Sequence, residues 1–539
     1  MKKVVTVLVC LLVAFSGVPM AGCSGEKTEE LDPTRTQLYV GNFDGGIGSA
    51  WLDMVKQKFE ADYANESFEP GKRGVQIYID NHKDNYSDTT FLTKIATSRQ
   101  DVIFAGTITY PNFVAQNVLL DITDVVTDKS EEVVGEDGVT TKVSIEAKMD
   151  PTLAAYYKWN GTTYYAIPFF DAIYGIVYDV DLFEDYGFFD DGFGPDGIEG
   201  TYDDGLPATW SDFKTLIIDM VNSGVTPFTW SGMHSFYRTA FLTSVWASYE
   251  GKENFELNYS FSGTDTSQND LPISLSNGYM LQNQPGKLAA LKVAEYIMSS
   301  ANNYSRAAMY TTQTHTQAQE EFLYSVEENK PIAMILEGGW WENEARDVFD
   351  AMGAKKTEYA YGNRRLGFMP FPKFTEEDGL PAQEQRIGTT LYSTHGRTVV
   401  CINAATEKEV LAKEFLKYTT SNEILSLFTM QTGVPRPYTY ELTDEQLSGM
   451  TYFGRMLWEI VADENTEVAY DMQKQAMMYN NASYFGNWAW GTRIGTSTHN
   501  EPILTFYNNP SLTAEEYWAG QKILYSETNW RDTLGSYFA

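Results

Sequence analysis

Between residues 37 and 104 strand and helix patterns alternate, and this succession constrains the fold more than any other feature of the chain. Gln37-Leu38-Tyr39-Val40 reads as a first strand that runs into the glycine-rich turn 41–46. Trp51, Leu52, Val55 and Phe59 then recur on one helical face, with Ser49 placed to cap the helix start. Val75, Ile77 and Ile79 alternate as a second strand. Residues 91–98 follow as a short amphipathic helix, and Asp101-Val102-Ile103-Phe104 as a buried third strand. Strands joined by helices imply an α/β fold in which a mainly parallel sheet carries helices on both faces. A chain of 539 residues exceeds one typical α/β domain, so two lobes are expected.

The N-terminus carries an export pattern. Lys2 and Lys3 precede the apolar run 4–15, and small residues lead to Met20-Ala21-Gly22-Cys23. The run is shorter than the roughly 20 residues that cross a bilayer as a helix. Its Ala-Gly-Cys ending resembles the lipobox of bacterial lipoproteins, although Met20 stands where Leu is usual. The resemblance implies residues 1–22 as a signal peptide, diacylglycerol on the Cys23 thiol, and 23–36 as a polar tether. Cys10 leaves with the signal and Cys23 is acylated, so Cys401 stands alone and no disulfide forms. A large core must therefore hold the fold, which a chain of this size can build.

The net charge of −34 repels phosphate backbones and disfavours nucleic-acid partners. Tyrosine and tryptophan, at 35 and 12 residues, suit surfaces that are apolar on the face and polar at the tip, as sugars require. Among His82, His234, His315, His395 and His499 no pair has the spacing of a zinc-binding helix. No Gly-x-Ser-x-Gly elbow and no phosphate-binding loop occurs either. A polysaccharide-active secreted enzyme needs only two well-placed carboxylates, so it stays as a rival reading.

A series of motifs then appears in order. Lys58-Phe59-Glu60-Ala61-Asp62-Tyr63 ends the first helix, and Asn117-Val118-Leu119-Leu120-Asp121-Ile122-Thr123 follows the third strand. Asn160-Gly161-Thr162-Thr163-Tyr164-Tyr165-Ala166-Ile167-Pro168 precedes Gly175-Ile176-Val177-Tyr178-Asp179. Leu206-Pro207-Ala208-Thr209-Trp210 opens a helix. Lys330-Pro331-Ile332-Ala333-Met334 leads to Gly338-Gly339-Trp340, and Thr432-Gly433-Val434-Pro435 closes the series. Together they resemble the extracellular solute-binding proteins of ABC importers, in particular the sugar-binding family that includes maltodextrin-binding protein. The resemblance implies a two-lobed, periplasmic-binding-protein-like fold of type II, a Venus flytrap that closes on its ligand. It places residues 37–160 and 390–437 in the first lobe and 161–389 and 438–539 in the second, with crossings near 159–167, 386–398 and 434–440. It also implies capture of a neutral oligosaccharide and delivery to ABC permease subunits in the membrane, without catalysis. A peptide or polyamine binder would share the fold, with cleft carboxylates where a sugar binder has stacked rings.

From the same resemblance come the expected ligand contacts: Asn42 and Asp44 on the first turn, Tyr110 and Asn112 after the third strand, Asp171 past Pro168, and Trp230, Trp340 and Trp341. Trp51 and Trp246 are read as core. One further segment, 190–205, holds five Asp and five Gly. Its spacing suits a structural calcium ion held by Asp190, Asp196, Asp203 and Asp204, because glycine lets the backbone turn oxygens inward.

Overall fold

The computed structural model describes residues 30–82, 88–134, 140–328, 330–383, 386–394, 396–473 and 475–538; the signal segment and Cys23 lie outside them. Two sheets organise the chain. Their strands, in chain order, begin with β1 (Thr36–Phe43), β2 (Val75–His82), β3 (Val102–Thr107), β4 (Ala166–Pro168) and β5 (Ile173–Asp179). They continue with β6 (Thr226–Thr229), β7 (Ile332–Gly338), β8 (Leu366–Met369), β9 (Thr389–Ser393), β10 (Thr398–Ile402) and β11 (Thr466–Tyr470). The first sheet runs β2-β1-β3-β10-β4. The second runs β6-β7-β5-β9-β11, with β8 also on β5. Helices cover both, giving the two-lobed α/β architecture.

The sheets are mixed rather than mainly parallel. β1 lies parallel to β2 and β3, but β10 runs against β3 and β4, and β5 runs against β7, β8 and β9. The reason is geometric. A strand fed by a surface helix ends at the edge facing the other lobe, whereas a strand that has just crossed begins there. β5 and β10 are the strands that cross, so they must oppose their neighbours.

The crossings lie at 169–172, between β4 and β5, and at 394–397, between β9 and β10. A lobe boundary after residue 160 is corrected by this arrangement, since β4 pairs within the first sheet; a second-lobe end at 389 is likewise corrected, since β9 pairs with β5 and β11. The third crossing follows helix Asn422–Thr432, which packs on helix Ala50–Asp62, and precedes helix Tyr452–Ala462, which packs on β8 and β11.

Trp51 is fully buried in the first lobe, edge-on to Phe104 at 5.2 Å and to Phe428 at 4.9 Å. Ser49 occupies the N-cap of that helix, but its side chain makes no capping bond. In the second lobe the cap is complete. Thr209 Oγ1 accepts from Asp212 N at 3.2 Å while Asp212 Oδ2 accepts from Thr209 N at 3.1 Å, closing a capping box on helix Trp210–Asn222. Thr209→Ala should lower stability by about 1 kcal/mol, read as a lower denaturation midpoint at unchanged slope.

Residues 476–538 form a helical appendage on the second lobe. Its helices pack on Pro285–Met298, and Trp488 and Trp490 are buried with Trp246 in its core. The buried Lys287 ammonium lies over the rings of Trp246 at 4.5 Å and Trp488 at 5.3 Å. It donates to Gln282 Oε1 at 2.8 Å and Trp488 O at 3.1 Å. Among the described residues no helix is long and apolar enough to cross a membrane.

Candidate functional site

Strands β1 and β3 of one lobe, and β7, β9 and β11 of the other, bring their C-terminal ends to the facing edges. Ligand clefts of α/β proteins form at such edges. Two of the contacts between the lobes bear on that edge.

At the first, the turn after β1 rests on the end of β7. A Cβ on Gly46, whose φ is +83°, would fall 2.6 Å from Trp340 Cδ1 and 3.3 Å from Glu344 Oε1, so only glycine permits this approach. Trp340 folds its ring back over Gly338, where a Cβ would lie 1.9 Å from ring carbon Cζ3. Beside Trp340 stands Tyr174 at 6.0 Å, the second residue of β5. Phe236 and Tyr237 meet Tyr174 at 5.8 Å and 6.2 Å, and Tyr237 stacks on His315 at 5.9 Å and 11°. The result is a wall of rings in which Trp340, Tyr174 and Tyr237 are buried and Phe236 is exposed, with Tyr174 Oη donating to Leu336 O at 3.0 Å.

Carboxyl groups brace that wall from behind. Gln319 Nε2 donates to Glu337 Oε1 at 3.0 Å and to Glu344 Oε2 at 2.6 Å, and His315 Nε2 lies 3.3 Å from Glu344 Oε1. Burial, and then the charge of Glu344, hold the Glu337 carboxyl well above its usual range. In the first lobe the buried Asn42 donates through Nδ2 to Asn81 Oδ1 at 2.9 Å, while its own Oδ1 is buried without a hydrogen-bond partner. A buried acceptor left unsatisfied costs free energy.

At the second meeting place a cavity of about 320 Å³ separates the lobes. Thr152 and Tyr156 line it from the first lobe, and Glu256, Tyr259, Tyr470 and Met472 from the second. Thr152 Oγ1 donates to Glu256 Oε2 at 3.0 Å, and Lys252 Nζ lies 3.5 Å from Asp150 Oδ2. The Arg397–Asp471 ion pair, at 3.6 Å, joins the second crossing to the end of β11.

Several expected contacts fall elsewhere. Trp341 is buried among Phe322, Phe349 and Phe453, because it opens a helix that turns its ring into the second-lobe core. Trp230 is buried against Tyr304 at 5.5 Å. Tyr110 is buried and donates to Tyr157 O at 2.9 Å, which makes it first-lobe core. Asn112 is exposed on the short helix Tyr110–Ala115. Asp44 shapes the turn, its Oδ1 accepting from Gly48 N at 2.9 Å. Of the expected set, Trp340 meets the turn that Asp44 shapes, while Asn42 lies in β1 beside Asn81. The rings grouped with Trp340, namely Tyr174, Phe236, Tyr237 and His315, come from three separate segments, so no sequence motif groups them. Glu337 alone had a local signal, standing directly before Gly338-Gly339.

Asp171 serves the crossing. Buried between two lobes' strands, it accepts from Ser393 Oγ at 3.0 Å and Tyr470 Oη at 3.0 Å. Burial, reinforced by the charge of Asp150, pushes its carboxyl up to about 7. The folded state therefore binds a proton there that the unfolded chain releases near its ordinary carboxylate range. That contribution to stability is fully present at low pH and is lost as pH rises through about 7. Burial raises Glu342 to about 7 and Glu250 to about 8, with the same sign. Melting temperature should fall between pH 5 and pH 8, and Asp171→Asn should remove part of that slope in thermal melts.

In the acidic loop four of the five aspartates accept from the loop's own backbone. Asp190 Oδ1 accepts from Gly192 N, Asp196 Oδ1 from Ile198 N, Asp203 Oδ2 from Asp196 N and Asp204 Oδ2 from Gly200 N. Asp196 Oδ2 is buried without a partner. Among the described residues no three His, Cys, Asp or Glu side chains converge as a metal ion requires. In this arrangement four of the loop's carboxylates serve its turns.

Residues 44–424 match the family model of bacterial extracellular solute-binding proteins. A comparison with curated proteins returns no match. Among solved structures, the solute-binding protein RafE in complex with raffinose is 16% identical with a TM-score of 0.52, over 91% of this chain and 100% of that one. The GacH receptor of Streptomyces glaucescens, solved unliganded and with acarbose, is 12% identical with a TM-score of 0.55, over 93% and 99%. A protein described for xylan utilization by the thermophilic bacterium Caldanaerobius polysaccharolyticus is 14% identical with a TM-score of 0.56, over 90% and 99%. These likenesses show a shared fold across nearly the whole length. With two lobes, chain crossings between them and a family match over well over half of its residues, the chain belongs to the bacterial extracellular solute-binding proteins.

Proposed function

We propose that the cleft captures a neutral oligosaccharide, performs no chemistry on it, and presents it to the membrane subunits of an ABC importer. The observation that carries this reading is the ring wall of Trp340, Tyr174, Phe236 and Tyr237 in the second lobe, met at Trp340 by the Gly46 turn of the first. Sugar C–H faces stack on rings while hydroxyls take up stranded acceptors. The nearby carboxyls are already held by Gln319 and His315, which favours a neutral ligand over a polyamine. Relatives in fold that bind raffinose and acarbose support the substrate class. Contact with both lobes favours the closed state, which is how a ligand shifts such an equilibrium. The protein is held at the extracytoplasmic face of the membrane by lipid on Cys23.

Calorimetry against raffinose, malto-, xylo- and chito-oligosaccharides, with small-angle scattering on the same samples, tests this. One class should bind and the radius of gyration should shrink. Binding of a peptide or polyamine with no oligosaccharide bound would overturn the substrate class, and tight binding at constant radius would overturn the trap.

A further inference from the structure

The family match ends at residue 424, yet a residue far beyond it bonds to the helix that carries Phe236 and Tyr237. Glu501 precedes helix Pro502–Asn508 of the C-terminal appendage. Both of its carboxylate oxygens accept from Arg238 Nη2, at 2.7 Å and 2.9 Å. Arg238 lies in the first turn of helix Ser235–Glu250, and both side chains are largely buried. Its other terminal nitrogen, Nη1, donates to Ser231 O at 2.7 Å and Gly232 O at 3.1 Å. The guanidinium thus ties two loop carbonyls to a carboxylate some 260 residues away in sequence.

That loop leads directly into the wall. His234 lies 5.5 Å from His315, and Phe236 and Tyr237 pack on Tyr174. The loop has little room to adjust. Ser231 Oγ donates to Gln313 O at 3.1 Å and Met233 N to the same oxygen at 2.9 Å, while a Cβ on Gly232 would fall 2.2 Å from Tyr310 O. We infer that Glu501 is a positioning residue of the ligand site: acting through Arg238, it fixes the loop 231–234 and so the angle at which Phe236 and Tyr237 meet the ligand. Without the carboxylate, Arg238 keeps a buried charge lacking its partner, and the guanidinium turns toward water, releasing both carbonyls. This rests on the oligosaccharide reading for the ligand, though not for the geometry.

Two variants and two readouts test it. Glu501→Gln should weaken binding of the best oligosaccharide from the panel by about tenfold. It should also shift the ring signals of His234 and His315 in ligand-free NMR spectra, while His82 in the first lobe stays put. The double variant R238M/E501L removes both charges together, which restores melting toward wild type, as replacing buried ion pairs by apolar groups does. Because nothing then ties the loop carbonyls, affinity and the histidine signals should remain altered. Recovery of both alongside stability would overturn the inference and leave the pair a structural contact only. Unmoved His234 and His315 signals in Glu501→Gln would overturn it as well. If the wild-type protein binds no oligosaccharide, the substrate reading falls and the ligand-free spectra still decide on Glu501.

Discussion

Replacing Trp340 with alanine should weaken oligosaccharide binding at least tenfold in the folded protein. The ring packs beside Tyr174 and over Gly338, and the Gly46 turn of the other lobe approaches it. Stacking one sugar face of ~60–80 Å² on it, at roughly 25 cal/mol per Å², contributes about 1.5–2 kcal/mol. A loss of 1.4 kcal/mol is a factor of ten in affinity. The neighbouring residue should behave in the opposite way. Trp341→Ala empties a site enclosed by Phe322, Phe349 and Phe453 and should cost about 3–5 kcal/mol of stability. The fraction that remains folded should bind sugar nearly as before. Calorimetry and thermal melts on both variants separate the two effects, and undiminished affinity in the Trp340 variant would remove that ring from the site.

The second large effect is all-or-none. Cys23→Ser should move the protein from the membrane fraction to the soluble one, because lipid on that thiol is the proposed anchor and no helix among the described residues spans a bilayer. The variant keeps every residue of the cleft, so its affinity should match that of the anchored protein stripped of membrane. Persistent membrane association of the serine variant would refute the anchor.

Much of the fold was legible because local pattern and burial agree. β1, β2 and β3 carry the alternating and apolar runs that strands require, and Trp51 stands on the inward face of its helix. The first crossing was harder to place. β4 has three residues, all buried, and a segment so short has no periodicity that could assign it to either sheet. Trp340 and Trp341 are chemically identical neighbours, separated only by the helix that starts between them: one remains at the cleft edge and the next rotates into the core. Tyr110 misled for a related reason. It opens a helix at the expected edge, yet its hydroxyl finds a carbonyl inside the lobe. The mixed strand directions follow from which strands cross, a property of the whole topology.

The position of β10 also bears on how the protein is made. It enters the first sheet between β3 and β4, after the strands of the second sheet from β5 to β9 have been placed in the chain. During synthesis β3 therefore presents an open edge until residues 398–402 emerge, and neither lobe corresponds to a stretch of chain that a ribosome finishes alone. Open edges invite pairing with the wrong strand, and contacts this distant in sequence form slowly. A nascent chain held unfolded until it is complete avoids both hazards, so release after full translation should give a higher yield of native protein than folding alongside it.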